Sequence, residues 1–203
     1  KVTGVQTCAL PIYMYAATVS SVIYYMYSTG GSATLAINWT GNIIRNVRPY
    51  AVSTAAGSTQ YLMYSSGVHN TAVMSNNTID TFNLPGSASV YGFYLGGTSG
   101  TGKTIQNNTF KNFTRITGTS GSLYPFYLTG SSTNATTHTI SGNTIQNVDN
   151  SLATSSLLYG FYSLDYATIG TSHPVINLYS NTVDRSEEHT SELQSPCNLV
   201  CRL

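Results

Sequence analysis

Side chains capable of acid, base, thiolate or metal chemistry are few in this sequence. The 203 residues hold 3 Cys, 7 Asp plus Glu, 8 Lys plus Arg and 4 His. Every cysteine (Cys8, Cys197, Cys201), every glutamate (Glu187, Glu188, Glu192) and His189 lie within residues 1–12 or 185–203. Between them stand Asp80, Asp149, Asp165 and Asp184, with His69, His138 and His173. Hydrolysis of a sugar bond needs two carboxylates about 5–10 Å apart. Calcium-assisted chemistry needs several acidic oxygens around the ion. Asp80 and Asp184 occupy equivalent positions of a repeat three rungs apart, about 14 Å at strand spacing. Asp149 and Asp165 follow different strands and meet only if the loop at 149–158 folds back. No histidine has a His or Cys partner at metal-ligand spacing; His69 and His173 share a repeat position but sit in the second and fifth repeats. Gly97 with Gly102-Lys103-Thr104 fits the spacing of a phosphate loop, yet no helix pattern follows it. No serine stands at a strand-to-helix elbow. The expectation is therefore no catalytic residue, no metal ligand and no cofactor.

The two ends share an origin. Residues 2–12 (VTGVQTCALPI) and 185–195 (RSEEHTSELQS) are readings of one DNA sequence on opposite strands. Both resemble a translated short-read sequencing adapter, and 196–203 looks like its continuation. Residues 1–12 and 185–203 are accordingly expected to be adapter-derived and not native, leaving 13–184 as the genuine fragment. A missing signal peptide then carries no information.

That fragment has no cysteine, so redox compartment is not legible. Arg45, Arg48, Lys103, Lys111 and Arg115 stand against the four aspartates, which leaves no basic face for nucleic acid. No apolar run approaches the roughly 18 residues of a membrane span. Ser, Thr, Gly, Asn and Tyr dominate. Abundant, periodic aromatic and β-branched residues favour folded β structure over disorder.

The elements that would position any site are repeats. Asn42-Ile43-Ile44-Arg45-Asn46-Val47 returns at Asn77, Asn108 and Asn143, and in shortened form at Asn181, with starts 35, 31, 35 and 38 residues apart. Apolar residues hold three columns. Trp39, Met74, Ile105, Ile140 and Leu178 precede the repeat asparagine by three. Ile44, Ile79, Phe110, Ile145 and Val183 follow it by two, and Val47, Phe82, Phe113 and Val148 by five. Arg45, Asp80, Lys111, Gln146 and Asp184 between the last two columns are always polar. That is a strand with one buried face, repeated. No unit carries a helical pattern, and propeller blades need longer units. Stacked asparagines are expected to form amide ladders and to tolerate left-handed corners, at Asn42, Asn77, Asn108, Asn143 and Asn181, and also at Asn46, Asn112 and Asn147. Gly-, Ser- and Thr-rich loops of 9–14 residues, such as 48–60 and 114–123, are expected at one edge.

A second phrase precedes the first: Tyr24-Tyr25-Met26-Tyr27, Tyr61-Leu62-Met63-Tyr64, Tyr91-Gly92-Phe93-Tyr94, Tyr124-Pro125-Phe126-Tyr127 and Tyr159-Gly160-Phe161-Tyr162. The stretch 91–97 followed by 104–110 resembles the right-handed parallel β-helix repeats of the pectin-lyase-like superfamily, nearest to noncatalytic repeats of secreted bacterial surface proteins. The resemblance covers nearly all of 24–184. It implies an all-β, right-handed parallel β-helix of about five coils, 31–38 residues each, and leaves function open, because that superfamily holds lyases, hydrolases, tailspikes and adhesins. No catalytic motif carries over.

If Met26, Met63, Phe93, Phe126 and Phe161 point inward, strand alternation sends Tyr27, Tyr64, Tyr94, Tyr127 and Tyr162 outward. The expectation is an aromatic strip able to stack on a glycan. Two functions follow. The first is a secreted or cell-surface solenoid with a structural, adhesive or glycan-binding role, stacked on further coils of its own longer chain. The second is part of a carbohydrate-active β-helix enzyme, a polysaccharide lyase or glycoside hydrolase, whose catalytic rungs lie elsewhere.

Overall fold

The structure, a computed structural model, describes residues 15–16, 22–29, 31, 34, 36–48, 50–51, 59–99, 102–132, 136–152, 155, 157–167 and 175–187. Residues 1–14 and 188–203, which make up most of the expected adapter-derived ends, and His173 lie outside them. The last strand, Thr182–Glu187, runs three residues past the expected boundary at 184.

The described chain is all-β and winds into a parallel β-solenoid with three five-stranded sheets. The tyrosine sheet takes Ile23–Thr29, Gln60–Ser66, Val90–Leu95, Leu123–Ser132 and Phe161–Ala167. The middle sheet takes Ala36–Thr40, Thr71–Ser75, Lys103–Gln106, Thr137–Ser141 and Val175–Tyr179. The asparagine sheet takes Ile43–Val47, Thr78–Leu84, Thr109–Arg115, Thr144–Asp149 and Thr182–Glu187. Each strand pairs in parallel with its counterpart one repeat away, so the sequence columns become physical columns. Trp39 faces Met74, then Ile105, Ile140 and Leu178. Ile44 faces Ile79, then Phe110, Ile145 and Val183. Most of these apolar side chains are buried in one continuous core.

The turn between the middle and asparagine sheets is built by the repeat asparagine. The backbone N–H and the Nδ2 of Asn77 both donate to Asn108 Oδ1, each at 2.9 Å. The second Nδ2 hydrogen goes back to the Trp39 carbonyl at 2.8 Å. The same set joins Asn42 to Asn77, Asn108 to Asn143, and Asn143 to Asn181. Asn77, Asn108 and Asn143 are fully buried, and each has its amide satisfied on both sides. A buried polar group left without such partners costs about 1–3 kcal/mol.

The left-handed corners fall elsewhere than expected. The ladder asparagines themselves keep negative φ. The residue before each is left-handed: Gly41, Asn76, Asn107, Gly142 and Ser180, with φ between 54° and 69°. A second left-handed column, Asn46, Thr81, Asn112 and Asn147, lies four residues after the ladder position, with φ of 51–60°. This is where the expectation for Asn46, Asn112 and Asn147 holds. The extra residue shifts the in–out phase, so the positions two and five beyond the ladder both face the core. Separating the tasks has a physical reason. The ladder residue must aim its amide along the stack, whereas the corner residue need only tolerate positive φ.

Volume is balanced between sheets. Phe110 is the one ring in its column, and it lies against Gly92; a Cβ there would come within 2.7 Å of the ring. Inter-repeat loops that are fully described are shorter than expected, at 85–89 and 116–122, because Thr114 and Arg115 still belong to a strand. They stack on one another through Gly86 N–H to Thr117 O and Ile116 N–H to Leu84 O.

Two substitutions of opposite sign test this arrangement by urea unfolding. Asn108→Ala strands the Asn77 donors and the Met74 carbonyl and should cost about 3–5 kcal/mol. Thr81→Asn places a residue suited to positive φ where a β-branched one now stands and should gain about 1 kcal/mol.

Candidate functional site: the tyrosine face

The tyrosine sheet turns Met63, Phe93 and Phe126 into the core and leaves Tyr27, Tyr64, Tyr94, Tyr127 and Tyr162 on the outer face, in register across all five strands. A second column, Tyr24, Tyr61, Tyr91, Tyr124 and Tyr159, stands beside it. Alternation alone could not reveal it, because two successive residues point inward between the columns, as at Leu62 and Met63. The recurrent Tyr-x-x-Tyr spacing was the available signal.

Ring centroids within each column lie 4.6–5.5 Å apart, with planes within 21° of parallel. Between columns the planes meet at 61–89°. The cause is geometric. Strands are spaced at about 4.8 Å, while carbon surfaces in contact want about 3.5–4 Å. Rings therefore tilt until their faces touch, and the two columns lock edge to face in a herringbone. Ring faces are consequently taken up by neighbouring rungs. The expected flat stacking strip is instead a surface of ring edges and phenol hydroxyls.

This face is nearly free of charge: four of its five strands contain no ionisable residue except tyrosine, and the fifth has only Asp165. Burial, followed by the neighbouring phenols, pushes Tyr61, Tyr91 and Tyr127 up to about 12. The same causes raise Tyr94 further and also raise Tyr24. Burial raises Tyr124 against a hydrogen bond with Ser122.

The other groups singled out by their chemistry are dispersed or enclosed. Lys103 is buried inside the solenoid, where Nζ donates to the Thr129 carbonyl at 2.7 Å, so the phosphate-loop spacing corresponds to no phosphate site. Its backbone N–H donates to His138 Nδ1 at 3.0 Å, and His138 is buried too. His69 is buried with neither ring nitrogen hydrogen-bonded; burial, then Lys103, lowers its pKa. Arg115 is buried and donates to the carbonyls of Gly86, Ala88 and Gly121 and to Asn150 Oδ1, which ties three successive loops together; burial lowers it to about 10. Sequence charge alone gave no sign that these two cations are internal.

Among the carboxylates, Asp80 lies on the outer asparagine face, 3.4 Å from Lys111. Burial alone would raise its pKa, but hydrogen bonds from Asn112 and Thr81 and the charge of Lys111 hold it below the ordinary value. Asp149 accepts the Ser151 N–H in a local turn, and Asp184 is exposed in the Asp80 column, three rungs away. Asp165 sits opposite Gly130 in the tyrosine sheet. Among the described residues, no group of three or more His, Cys, Asp or Glu could hold a metal ion, and no helix is long and apolar enough to cross a membrane.

Compared with protein-family models, curated proteins and solved structures, the chain gives no match in any of the three.

The raised phenols fix a pH dependence. Folded Tyr61, Tyr91 and Tyr127 keep their protons at pH values where the unfolded chain, at 10.0, has lost them. Their stabilisation is whole below pH 10 and is lost as pH rises towards 12. An alkaline titration should show part of the phenolate absorbance appearing only with the loss of β circular dichroism. Complete ionisation with the β signal intact would contradict the herringbone burial.

Proposed function

We propose that this chain is part of a secreted or cell-surface solenoid of the pectin-lyase-like kind, with a structural or adhesive role, and that its tyrosine face contacts neutral glycans. The observation that carries this reading is the double tyrosine column, an uncharged aromatic surface continuous over five rungs. Phenol hydroxyls at strand spacing donate to and accept from sugar hydroxyls, and the ring edges between them meet sugar C–H groups. Recognition by hydroxyls and edges suits a polymer lying along the solenoid axis, because equivalent contacts recur at every rung. The scarcity of charge on this face, with Asp165 its one acidic residue, favours neutral over acidic polysaccharide.

The test is a glycan array probed with the parent chain and with Tyr94→Ala and Tyr127→Ala, each checked for retained β circular dichroism. The parent should bind neutral glycans, and each variant should lose about tenfold or more, some 1.4 kcal/mol. Equal binding by parent and variants removes the tyrosine face from the proposal.

A further inference from the structure

The tyrosine face repeats one pair of phenols at one spacing. Parallel register sets Tyr91 between Tyr61 and Tyr124, and Tyr94 between Tyr64 and Tyr127. Along these two columns the ring centroids are 4.6–5.0 Å apart. Across a rung the two centroids are 4.9–5.8 Å apart. The face is a ladder two phenols wide, with one step per strand spacing. Within the described residues, the hydroxyls of Tyr61, Tyr64, Tyr91, Tyr94 and Tyr127 meet no hydrogen-bond partner, whereas Tyr27 accepts from Thr29 and Tyr124 bonds with Ser122. Each ring is held by the rungs on both sides, so little side-chain freedom remains to be lost on binding.

A polymer that meets every rung alike must advance about one strand spacing per sugar. Pyranose chains do this when both glycosidic bonds are equatorial. The two bonds then run almost parallel across the ring, and the chain extends as a straight, flat ribbon. A β-1,4-linked glucan or mannan has this form. An axial bond, as in an α-1,4-linked glucan, coils the chain and carries it off a straight row of contacts. Successive sugars of the ribbon are turned over, so each edge presents its hydroxymethyl side and its ring-hydroxyl side in alternation. A phenol both donates and accepts, so identical rungs can serve both orientations.

We infer, building on the glycan-contacting role proposed above, that the tyrosine face holds a neutral β-1,4-linked glucan or mannan along the solenoid axis, one sugar per rung. The two phenols of a rung flank one sugar, and the next rung meets the next sugar with the same pair.

NMR titration of the full chain with β-1,4-linked gluco-oligosaccharides of two to five sugars tests this, beside α-1,4-linked ones of the same lengths. Affinity in the β-1,4 series should rise about tenfold or more from disaccharide to pentasaccharide, since each sugar adds one rung of contacts. The α-1,4 series should gain little with length. Tyr91→Phe with Tyr94→Phe keeps the rings of the central strand Val90–Leu95 and removes their hydroxyls. With its β circular dichroism unchanged, this variant should bind the pentasaccharide nearly as weakly as the disaccharide. Its disaccharide affinity should stay within about twofold of the parent, because rungs on either side remain paired. Equal length dependence in the two series overturns the linkage assignment and leaves the glycan-contacting role standing, as does failure of both series alongside a positive glycan array. A negative array as well overturns the role on which the assignment rests. A pentasaccharide that binds parent and variant equally lies off the tyrosine columns and overturns the inference too.

Discussion

The structure depends on one hydrogen-bonding constraint. A side-chain amide has two donor hydrogens and an oxygen that accepts twice, and Asn77, Asn108 and Asn143 each divide them between the rung before and the rung after. That division works only if successive asparagines stand one strand spacing apart, facing the same way. The ladder thereby fixes register at the corner, and register fixes everything that stacks. A slip of one residue would reverse the faces of all three strands in a rung. It would also bury an amide with no partner.

The tyrosine herringbone follows from the same spacing. Rungs are farther apart than touching rings, so the rings tilt, and two columns tilting in opposite senses fill the outer face. The arrangement shields much of the ring surface although it lies outside the solenoid, which is why burial is the leading cause of the raised phenol pKa values. Inside, the two buried cations act as struts. Arg115 gathers three loop carbonyls, and Lys103 holds one carbonyl at the wall of the core. These two buried charges organise backbone.

The sequence made the columns legible because a solenoid writes its contacts at a fixed period. Trp39 to Leu178 and Ile44 to Val183 were readable as stacks, and so was the amide ladder. What escaped was local phase. The left-handed residues at Gly41, Asn76 and Asn107 precede the ladder, and those at Asn46, Thr81 and Asn112 interrupt alternation, since one residue at positive φ changes which neighbours face inward. Strict alternation likewise hid the second tyrosine column behind the paired inward residues at Leu62 and Met63. The enclosure of Lys103 and Arg115 was illegible for another reason: most of their partners are backbone carbonyls, which leave no mark in residue type.

The central claim is that buried asparagine amides, bonded rung to rung, hold the register. Hydrogen exchange of the side-chain amides, followed by NMR in 15N-labelled protein, measures this directly. The account predicts that the Nδ2 hydrogens of Asn77, Asn108 and Asn143 are protected like core strand amides, while those of the exposed Asn38 and Asn107 exchange freely. Free exchange at all five in a protein that retains its β circular dichroism would contradict it.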